Sequence, residues 1–274
     1  MSIVSDNEIF DYIGVDDSAE ETPIITTIRD GVEAWVESFC HRTFESTSYS
    51  KERHNGSGNR YLLLKQSPIT VISRLAIGTV DVISVKNTST YTSATVSISS
   101  TGLTYMKDGT VNTLLFATYA TMTALVAAIN ALGAGWSASL LSSIYANYKS
   151  TELIETYGQS CIDSNTVYLQ MPDDAEGEFI INPETGEIYL PVGYFTPGFK
   201  NVFVDYTAGY TVANMPDDLK MAIKILTKFF YQKRDEDSFG VSDYRTYDIY
   251  FLFESGVMPK EVLSILRRYR KVLL

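Results

Sequence analysis

The residues best suited to catalysis or metal binding are few in this chain and lie far apart. The only histidines, His41 and His54, do not have the spacing of zinc ligands. The only cysteines, Cys40 and Cys161, are too distant in sequence to indicate a zinc motif or a disulfide framework. The acidic segment 173–178 offers carboxylates that calcium could use, but its spacing is not that of an EF-hand loop. A solvated turn is the simpler interpretation of that segment.

No sequence motif for catalysis or phosphate binding is present. The chain lacks G-x-S-x-G, H-E-x-x-H and the dinucleotide-binding fingerprint. The glycine-rich stretch 55–59 lacks the Gly-Lys-Ser/Thr ending of a phosphate loop, and a strand is predicted after it at 61–64, so it predicts a hairpin loop. We therefore expect no enzyme activity, no metal and no cofactor. A triad assembled only by folding stays open, and it predicts that substituting His41 or His54 abolishes an activity.

The composition is that of a globular protein with an acidic surface. The chain has 274 residues, of which 45% are hydrophobic and 20% charged, enough for one large or two small domains. A net charge of −11 argues against tight, nonspecific binding to DNA or to anionic membranes. The first ten residues do not resemble a signal peptide, and no apolar run approaches the ~20 residues of a membrane helix. We therefore expect synthesis and folding in a cytoplasm.

The stretch from Val202 to Arg234 predicts a strand, a turn and a helix on which the other elements pack. Residues 201–206 alternate between apolar and polar types, as in a half-buried strand. Gly209 supplies a turn, and Pro216 suits the first position of the helix that follows. Apolar residues then recur at steps of three and four from Leu219 onward, which predicts one buried helix face.

Lys220, Lys224 and Lys228 recur every four residues on the opposite side of that predicted helix. The simpler interpretation is a solvated face of a core helix. The alternative interpretation is a contact face for an acidic partner.

Two further helices are predicted near the N-terminus. Ser5 and Glu8 have the spacing of a capping box for a helix at 6–13, and Gly14 suits its end. A second helix is predicted from Thr22 to about residue 40, with an apolar stripe formed by Ile25, Ile28, Val32, Trp35, Val36 and Phe39.

The middle of the chain has a different composition. From Ser84 to Tyr105 it is nearly uncharged and rich in Ser and Thr, which favours strands facing solvent. A helix capped by Thr121 or Thr123 and a strand from Trp136 complete a β-β-α-β order. The predicted fold is thus α+β. It has a helical bundle body with attached β-strands at 1–83 and 164–274, and an inserted small module at 84–163.

The C-terminal part combines an aromatic segment with a basic helix. Residues 235–256 are too apolar for a free linker, so we expect them to pack on something, with a neighbouring subunit as one candidate. The candidate subunit-interface residues of the chain are Lys220, Lys224, Lys228, Tyr244, Tyr247 and Phe251. A final helix should begin at Pro259, and the cations that crowd its end exceed what the helix dipole requires, which favours a docking tail.

Several stretches, in this order, resemble the head–tail connector (adaptor) proteins of long-tailed bacteriophages. The resemblance covers about residues 1–82 and 165–274. This chain differs from the common members of the family in two ways. It is longer, and its residues 84–163 have no counterpart in the short members. The matching stretches are EAWVESFCHRTF at 33–44, LKQSP at 64–68, VDYTAGY at 204–210, MPDDLKMA at 215–222, YQKR at 231–234 and the segment 258–270.

The resemblance implies a structural role in the virion neck, between capsid and tail. It implies a homo-oligomeric ring beneath the portal protein, usually a dodecamer, through which DNA passes without sequence-specific binding. It also implies a surface for the next neck or tail protein, a stopper or tail terminator, and no contact with a membrane. In this family the C-terminal segment docks to the portal, which here implies the residues Pro259, Leu266, Arg267, Arg268, Tyr269, Arg270 and Lys271. The alternative function is a β-rich module that binds carbohydrate or a host surface through residues 84–163.

Overall fold

A computed structural model describes residues 2–90, 92–162, 165–173, 178–235 and 259–271 of the chain. The described residues form a mixed α+β fold, as predicted. The helices are α1 (Asp6–Ile13), α2 (Glu21–Cys40), α3 (Met122–Ala131), α4 (Asp217–Asp235) and α5 (Lys260–Tyr269). The strands are β1 (Thr47–Gly56), β2 (Tyr61–Leu63), β3 (Ile69–Ile77), β4 (Thr79–Asn87), β5 (Ala94–Ile98), β6 (Gly102–Lys107), β7 (Thr110–Leu115), β8 (Trp136–Leu140), β9 (Thr156–Ser160), β10 (Val167–Pro172), β11 (Ile180–Asn182), β12 (Glu187–Tyr189) and β13 (Gly198–Ala208).

Helices α1, α2, α4 and α5 share one hydrophobic core, which we call the helix bundle. The predicted capping box is present: the Glu8 amide donates to the Ser5 hydroxyl, and the Glu8 carboxylate accepts from the Ser5 amide. Gly14 ends α1 in the left-handed conformation that favours glycine. Within the described residues, no helix has the length and apolar character needed to cross a bilayer.

Two details of α2 differ from the prediction. The helix begins at Glu21, so Thr22 is not its cap; the Thr22 hydroxyl instead donates to the backbone oxygen of Ser18 at 2.6 Å. Trp35 was predicted in the buried stripe but is 45% exposed. It lies at the edge of the buried face, where its ring stacks on Phe39 at 5.6 Å.

Strand β13 runs through the centre of the antiparallel sheet β1-β13-β3 and leads to α4. It was predicted to be half-buried. Val202, Val204 and Tyr206 are buried as expected, but Phe203 on the opposite face is only 1% exposed. Phe203 packs with Ile154 of the middle segment, so tertiary contact covers the face that alternation assigned to solvent.

The predicted loop at 55–59 is a loop only from residue 57, since β1 continues to Gly56, and it does not form a hairpin. Strand β1 pairs with β13, whereas β2 pairs with β12 in the separate sheet β11-β12-β2. The loop therefore connects two sheets. Strands β11 and β12 form the hairpin that was predicted between residues 179 and 190.

The middle of the chain has more strands than the predicted β-β-α-β order. Its described residues contribute β4 to β10 and α3, arranged as sheets β10-β4-β8 and β7-β6-β5-β9. One hydrophobic core, from Val82 to Met171, joins these elements, and we call residues 79–172 the β-rich unit. The extra strands arise because the uncharged Ser/Thr-rich stretch folds into two successive hairpins, β5-β6 and β6-β7.

A seam of polar contacts joins the β-rich unit to the sheet β1-β13-β3. The Arg74 guanidinium contacts Glu152 of the β-rich unit at 2.7 Å and Asp205 of β13 at 2.8 Å. The Lys51 ammonium donates to the Leu153 carbonyl at 2.9 Å, and the Arg53 guanidinium donates to the Glu155 carbonyl at 3.2 Å. The orientation of the unit is thus set by several directional contacts.

Candidate docking surface

The basic C-terminal helix α5 packs against α2 and α4 as part of the helix bundle. Its apolar side buries Val262 and Leu266 completely. The backbone oxygen of Pro259 accepts a hydrogen bond from the Leu263 amide at 2.9 Å, which starts the helix at the predicted proline. Burying such aliphatic side chains contributes roughly 1.5–3 kcal/mol each. Apolar contact therefore holds α5 on the bundle.

Asp218 in the first turn of α4 binds two groups of α5. The Tyr269 hydroxyl donates to one carboxylate oxygen, and the Arg268 guanidinium contacts the other at 2.8 Å. Burial and the neighbouring Asp218 charge raise the pKa of the Tyr269 phenol, so it stays a donor. The side chain of Arg268 remains 65% exposed, and so it also faces solvent.

Beyond α5, the chain lies across the C-terminal end of α2. The guanidinium of Arg270 lies 5.2 Å from the ring centre of Phe39, which stacks on the exposed Trp35. The Lys271 amide donates to the backbone oxygen of Cys40 at 2.9 Å. The last turn of α5 and the two residues after it thus form a cationic surface with an aromatic base.

The side chain of Lys271 points inward instead of toward solvent. Its ammonium donates to the backbone oxygen of Leu64. Burial lowers the pKa of Lys271 to about 8, with Arg42 contributing in the same direction and Glu52 opposing it. The predicted tail residues therefore divide into two groups. Leu266, Tyr269 and Lys271 contact the bundle or the adjoining loop, and the side chains of Arg267, Arg268 and Arg270 are exposed.

The lysine stripe of α4 lies against α1. The Lys224 ammonium is 3.3 Å from a carboxylate oxygen of Glu8, and Lys220 is 4.0 Å from the same atom. Lys228 lies over the ring of Tyr12 at 5.4 Å. All three lysines remain partly exposed. Tyr244, Tyr247 and Phe251, the other interface candidates, lie outside the described residues.

His54, one of the two candidate catalytic histidines, belongs to a polar cluster within the sheet β1-β13-β3. His54 is buried, and its Nε2 lies 2.7 Å from Glu52, which also accepts a hydrogen bond from the Tyr206 hydroxyl at 3.0 Å. Burial raises the pKa of Glu52, but the hydrogen bonds and charges of His54, Lys65 and Tyr206 outweigh it, so the pKa is lowered. This cluster links strands β1 and β13 within the sheet.

His41 lies at the end of a helix, and both cysteines are buried. His41 follows the last residue of α2 in a left-handed conformation, with φ of 53°. Cys40 and Cys161 are both buried, and burial raises the pKa of each thiol to about 11, which disfavours the reactive thiolate. Among the described residues, no group of three or more His, Cys, Asp or Glu side chains is placed to hold a metal ion.

Two exposed apolar features were missed at the sequence level. One is Trp35, which periodicity placed in the core. The other is the segment from Pro191 to Lys200, in which Val192, Tyr194 and Phe199 face solvent. The only sequence signal for this segment is an almost uncharged stretch between two strands, which does not distinguish buried from exposed residues.

The described residues thus combine a helix bundle, a β-rich unit and an exposed cationic surface on the tail. Residues 149–272 match the family model described as "HCP: Head completion protein". This match includes α4 and α5 and confirms the predicted resemblance to phage connector proteins.

The chain is also similar to solved structures of gene transfer agent (GTA) particles. One is the neck of the empty GTA particle computed with C6 symmetry, with TM-score 0.43, 11% identity, and 99% of this chain and 91% of that chain covered. A second is the virion of the native GTA particle, with TM-score 0.37, 13% identity and the same coverage. A third is the neck of the native particle computed with C12 symmetry, with TM-score 0.33, 12% identity, and 98% of this chain and 88% of that chain covered. No curated protein matches the sequence.

Proposed function

We propose that this protein is a head-to-tail adaptor in the virion neck, between capsid and tail, made in the host cytoplasm. The observation that carries the proposal is the match of residues 149–272 to the head completion protein family. The match spans the part of the chain that contains α4, α5 and the cationic tail surface. The role is assembly, in which the protein forms contacts and transforms no substrate.

In this proposal the protein forms a homo-oligomeric ring under the portal, a dodecamer, which extends the DNA channel. Identical subunits that contact one another head to tail close into a ring when the rotation between them divides a full turn. The net charge of −11 favours passage of DNA along the ring without sequence-specific binding. The subunit-interface candidates are Lys220, Lys224, Lys228, Tyr244, Tyr247 and Phe251.

We assign docking to the portal protein to the tail, Pro259–Leu274. The exposed guanidinium groups of Arg267, Arg268 and Arg270 are the groups available to carboxylates of a partner in the described arrangement. Leu266, Tyr269 and Lys271 position them by holding α5 on the bundle. The opposite side of the ring would present a surface to the next neck or tail protein.

The proposed domain division has a connector body at 1–83 and 164–274 and an insertion at 84–163. The seam around Arg74 supports a fixed orientation of the inserted residues relative to the body. We propose that the insertion lies on the outer side of the ring.

The test of the adaptor function is binding to the portal protein encoded in the same phage genome. The full-length chain should form a ring on the portal, seen by size separation and imaging, and removal of residues 259–274 should abolish it. Because truncation also removes buried Leu266, the variant Arg267→Glu with Arg270→Glu provides a test that leaves the core intact. Its matched control reverses two exposed lysines of the β-rich unit, Lys86→Glu with Lys149→Glu.

We expect the arginine variant to lose portal binding and the lysine control to keep it. Absence of portal binding by the unmodified chain would contradict the adaptor function. Normal binding by the arginine variant would show that the docking surface lies elsewhere.

The lysine stripe has its own test on the assembled portal complex. Charge reversal at Lys220, Lys224 and Lys228 should prevent ring closure if the stripe contacts a neighbouring subunit. Because Lys224 pairs with Glu8, the variant must first be shown to be folded by a cooperative thermal unfolding transition. Normal rings formed by a folded variant would exclude the stripe from the interface.

A further inference from the structure

Three large exposed apolar side chains lie close together in sequence beside the end of β13 that points away from the helix bundle. We call residues 55–60 and 191–200, two contacting segments that include the adjoining ends of β1 and β13, the distal tip. Val192 is 76%, Tyr194 59% and Phe199 81% exposed. Large exposed apolar patches on soluble proteins commonly mark interaction sites.

The two loops of the distal tip are held together by backbone hydrogen bonds. The Gly58 amide donates to the Phe195 oxygen, and the Phe195 amide donates to the Asn59 oxygen, both at 2.8 Å. The Phe195 side chain is fully buried in the core of the adjoining sheet. The guanidinium of Arg60 donates to the backbone oxygen of Pro191 at 3.2 Å. The exposed side chains therefore project from an ordered base.

Side-chain amides fix the junction between the tip and strand β13. The Lys200 amide donates to the Asn55 side-chain oxygen at 2.8 Å, and the Gly56 amide donates to the Asn201 side-chain oxygen at 2.9 Å. Asn201 in turn donates to the Thr196 carbonyl at 2.8 Å. A Cβ added at Gly56 would lie 1.8 Å from that carbonyl oxygen, so only glycine permits the two loops to approach this closely.

Backbone strain accompanies the exposed aromatic residue. Lys200 has φ of 52°, a left-handed conformation that non-glycine residues rarely adopt. It follows Phe199 directly, and the Lys200 ammonium lies 5.3 Å from the Phe199 ring centre. Strained residues that the surrounding structure holds in place cluster at binding and functional sites. A rigid loop also loses less entropy when it binds a partner.

The charge of the distal tip is opposite to that of the whole molecule. Residues 55–60 and 191–200 contain Arg60 and Lys200 but no Asp or Glu. The complete chain has 33 acidic residues against 22 Lys and Arg. The tip therefore combines aromatic residues and an arginine, which are enriched in protein interfaces, with the cationic Lys200.

The exposed apolar side chains of the distal tip lie beside the end of β13 that points away from the helix bundle. Strand β13 begins at Gly198 in the tip and ends at Ala208, next to the segment that enters the bundle. Eleven residues at about 3.4 Å each give β13 a length of roughly 35 Å. One molecule can thus contact different partners at the two ends of this strand. The Lys271 ammonium of the tail reaches Leu64, which is four residues from Arg60 of the tip.

We propose that the distal tip is the docking site for the tail-side neck or tail protein, by insertion into an apolar pocket rimmed with carboxylates. Phe199, Tyr194 and Val192 fill the pocket, and Arg60 and Lys200 pair with its rim. The proposal rests on the adaptor function above and names the surface that serves its second partner. The three exposed apolar side chains favour a protein over a DNA backbone, which offers phosphates and no apolar pocket.

The test joins heads that carry this protein to purified tails of the same phage. Tyr194→Ser with Phe199→Ser should lower the rate of tail joining by at least about 30-fold, the effect of losing one strong interface residue. The matched control, Val111→Ser with Tyr157→Ser, removes two exposed apolar side chains of the β-rich unit and should join tails normally. Arg60→Glu with Lys200→Glu should also slow joining, with Lys86→Glu and Lys149→Glu as its control.

The amount of the protein on the heads separates the two proposals. Heads that retain the tip variants but fail to join tails support the docking site. Normal tail joining by folded tip variants would overturn the proposed docking site. Tip variants that lose DNA retention or ring formation but still join tails would overturn it as well. Heads that lack even the unmodified protein would contradict the adaptor function itself.

Discussion

At the scale of single residues, the tail depends on groups that bind more than one partner. Asp218 accepts from Tyr269 and pairs with Arg268, so one carboxylate fixes two side chains of α5. Lys271 contributes both its amide and its ammonium to contacts outside α5. Substitution at either position should therefore affect the placement of the tail more than the loss of one exposed charge would.

Lys271 should make stability depend on pH between about 8 and 10.5. Its pKa is lowered to about 8 in the folded protein, so in this window the unfolded chain binds more protons than the folded one. Stability should then rise with pH. We expect the free energy of unfolding in urea to increase from pH 8 to pH 10 more in the unmodified protein than in Lys271→Met. Equal pH dependence of the two proteins would show that Lys271 is not buried.

Gly56 should be intolerant of any side chain. Gly56→Ala places a methyl group where the Thr196 carbonyl oxygen lies, which forces the two loops of the distal tip apart. We expect a loss of about 1–3 kcal/mol in unfolding free energy, typical of overpacking. Faster amide exchange in residues 55–60 and 191–200 should accompany it. Gly31→Ala is the control, because an added methyl group there meets no neighbouring atom.

At the scale of elements, α1 shows how local signals and tertiary contacts combine. Its capping box is visible in the sequence, and its partner Lys224 lies on α4 more than two hundred residues later. The Glu8 carboxylate takes part in both the capping box and the contact with α4, since it accepts from the Ser5 amide and pairs with Lys224. Burial acts to raise the pKa of Glu8, but contacts with Ser5 and Lys224 outweigh it and the pKa is lowered.

Removing the cap should weaken α1 measurably. Ser5→Ala removes the hydroxyl that accepts from the Glu8 amide and should lower the unfolding free energy by about 1 kcal/mol. Ser38→Ala, at an exposed position inside α2, is the control and should have little effect. A loss at Ser5 no larger than that at Ser38 would contradict the role of the cap.

Helix α5 should be held mainly by its apolar side. Leu266→Ala should cost about 2–5 kcal/mol and increase amide exchange throughout α5, because the side chain is fully buried. Arg267→Ala is the exposed neighbour in the same helix and should leave exchange unchanged. Equal exchange in the two variants would show that α5 is held by other contacts.

At the scale of the whole molecule, the polar seam determines the orientation of the β-rich unit relative to the sheet β1-β13-β3. Arg74 bridges Glu152 and Asp205, and Lys51 binds two carbonyl groups of the same segment. Burial is the main cause of the lowered pKa of Lys51. A rigid seam would hold the β-rich unit in one orientation relative to the sheet β1-β13-β3.

Loss of Arg74 should loosen this connection. Arg74→Met leaves two carboxylates without their partner and should lower the unfolding free energy by about 2 kcal/mol. Fluorescent labels on the helix bundle and the β-rich unit should report a broader distance distribution. Lys86→Met, an exposed lysine of the β-rich unit, is the control. An unchanged distance distribution in Arg74→Met would show that the seam is not what orients the unit.

Much of the local structure was determined by the sequence alone. The capping box of Ser5 and Glu8, the strand from Ile69 to Ile77 and the proline before α4 depend on neighbours within a few residues, so short-range rules predict them. The likeness to connector proteins could also be found in this way, because it rests on short motifs in a fixed order. The segment 149–272, which contains several of these motifs, matches the head completion protein family model.

Only the tertiary structure decided which surfaces are covered and which are free. Phe203 is buried by a residue of a distant segment, whereas Trp35 is exposed because it lies at the edge of the packed face of α2. The loop 55–59 joins two sheets, since strand partners are chosen by long-range pairing. The distal tip depends on hydrogen bonds between segments well over one hundred residues apart. Periodicity describes one segment at a time, and so it cannot show where two such segments meet.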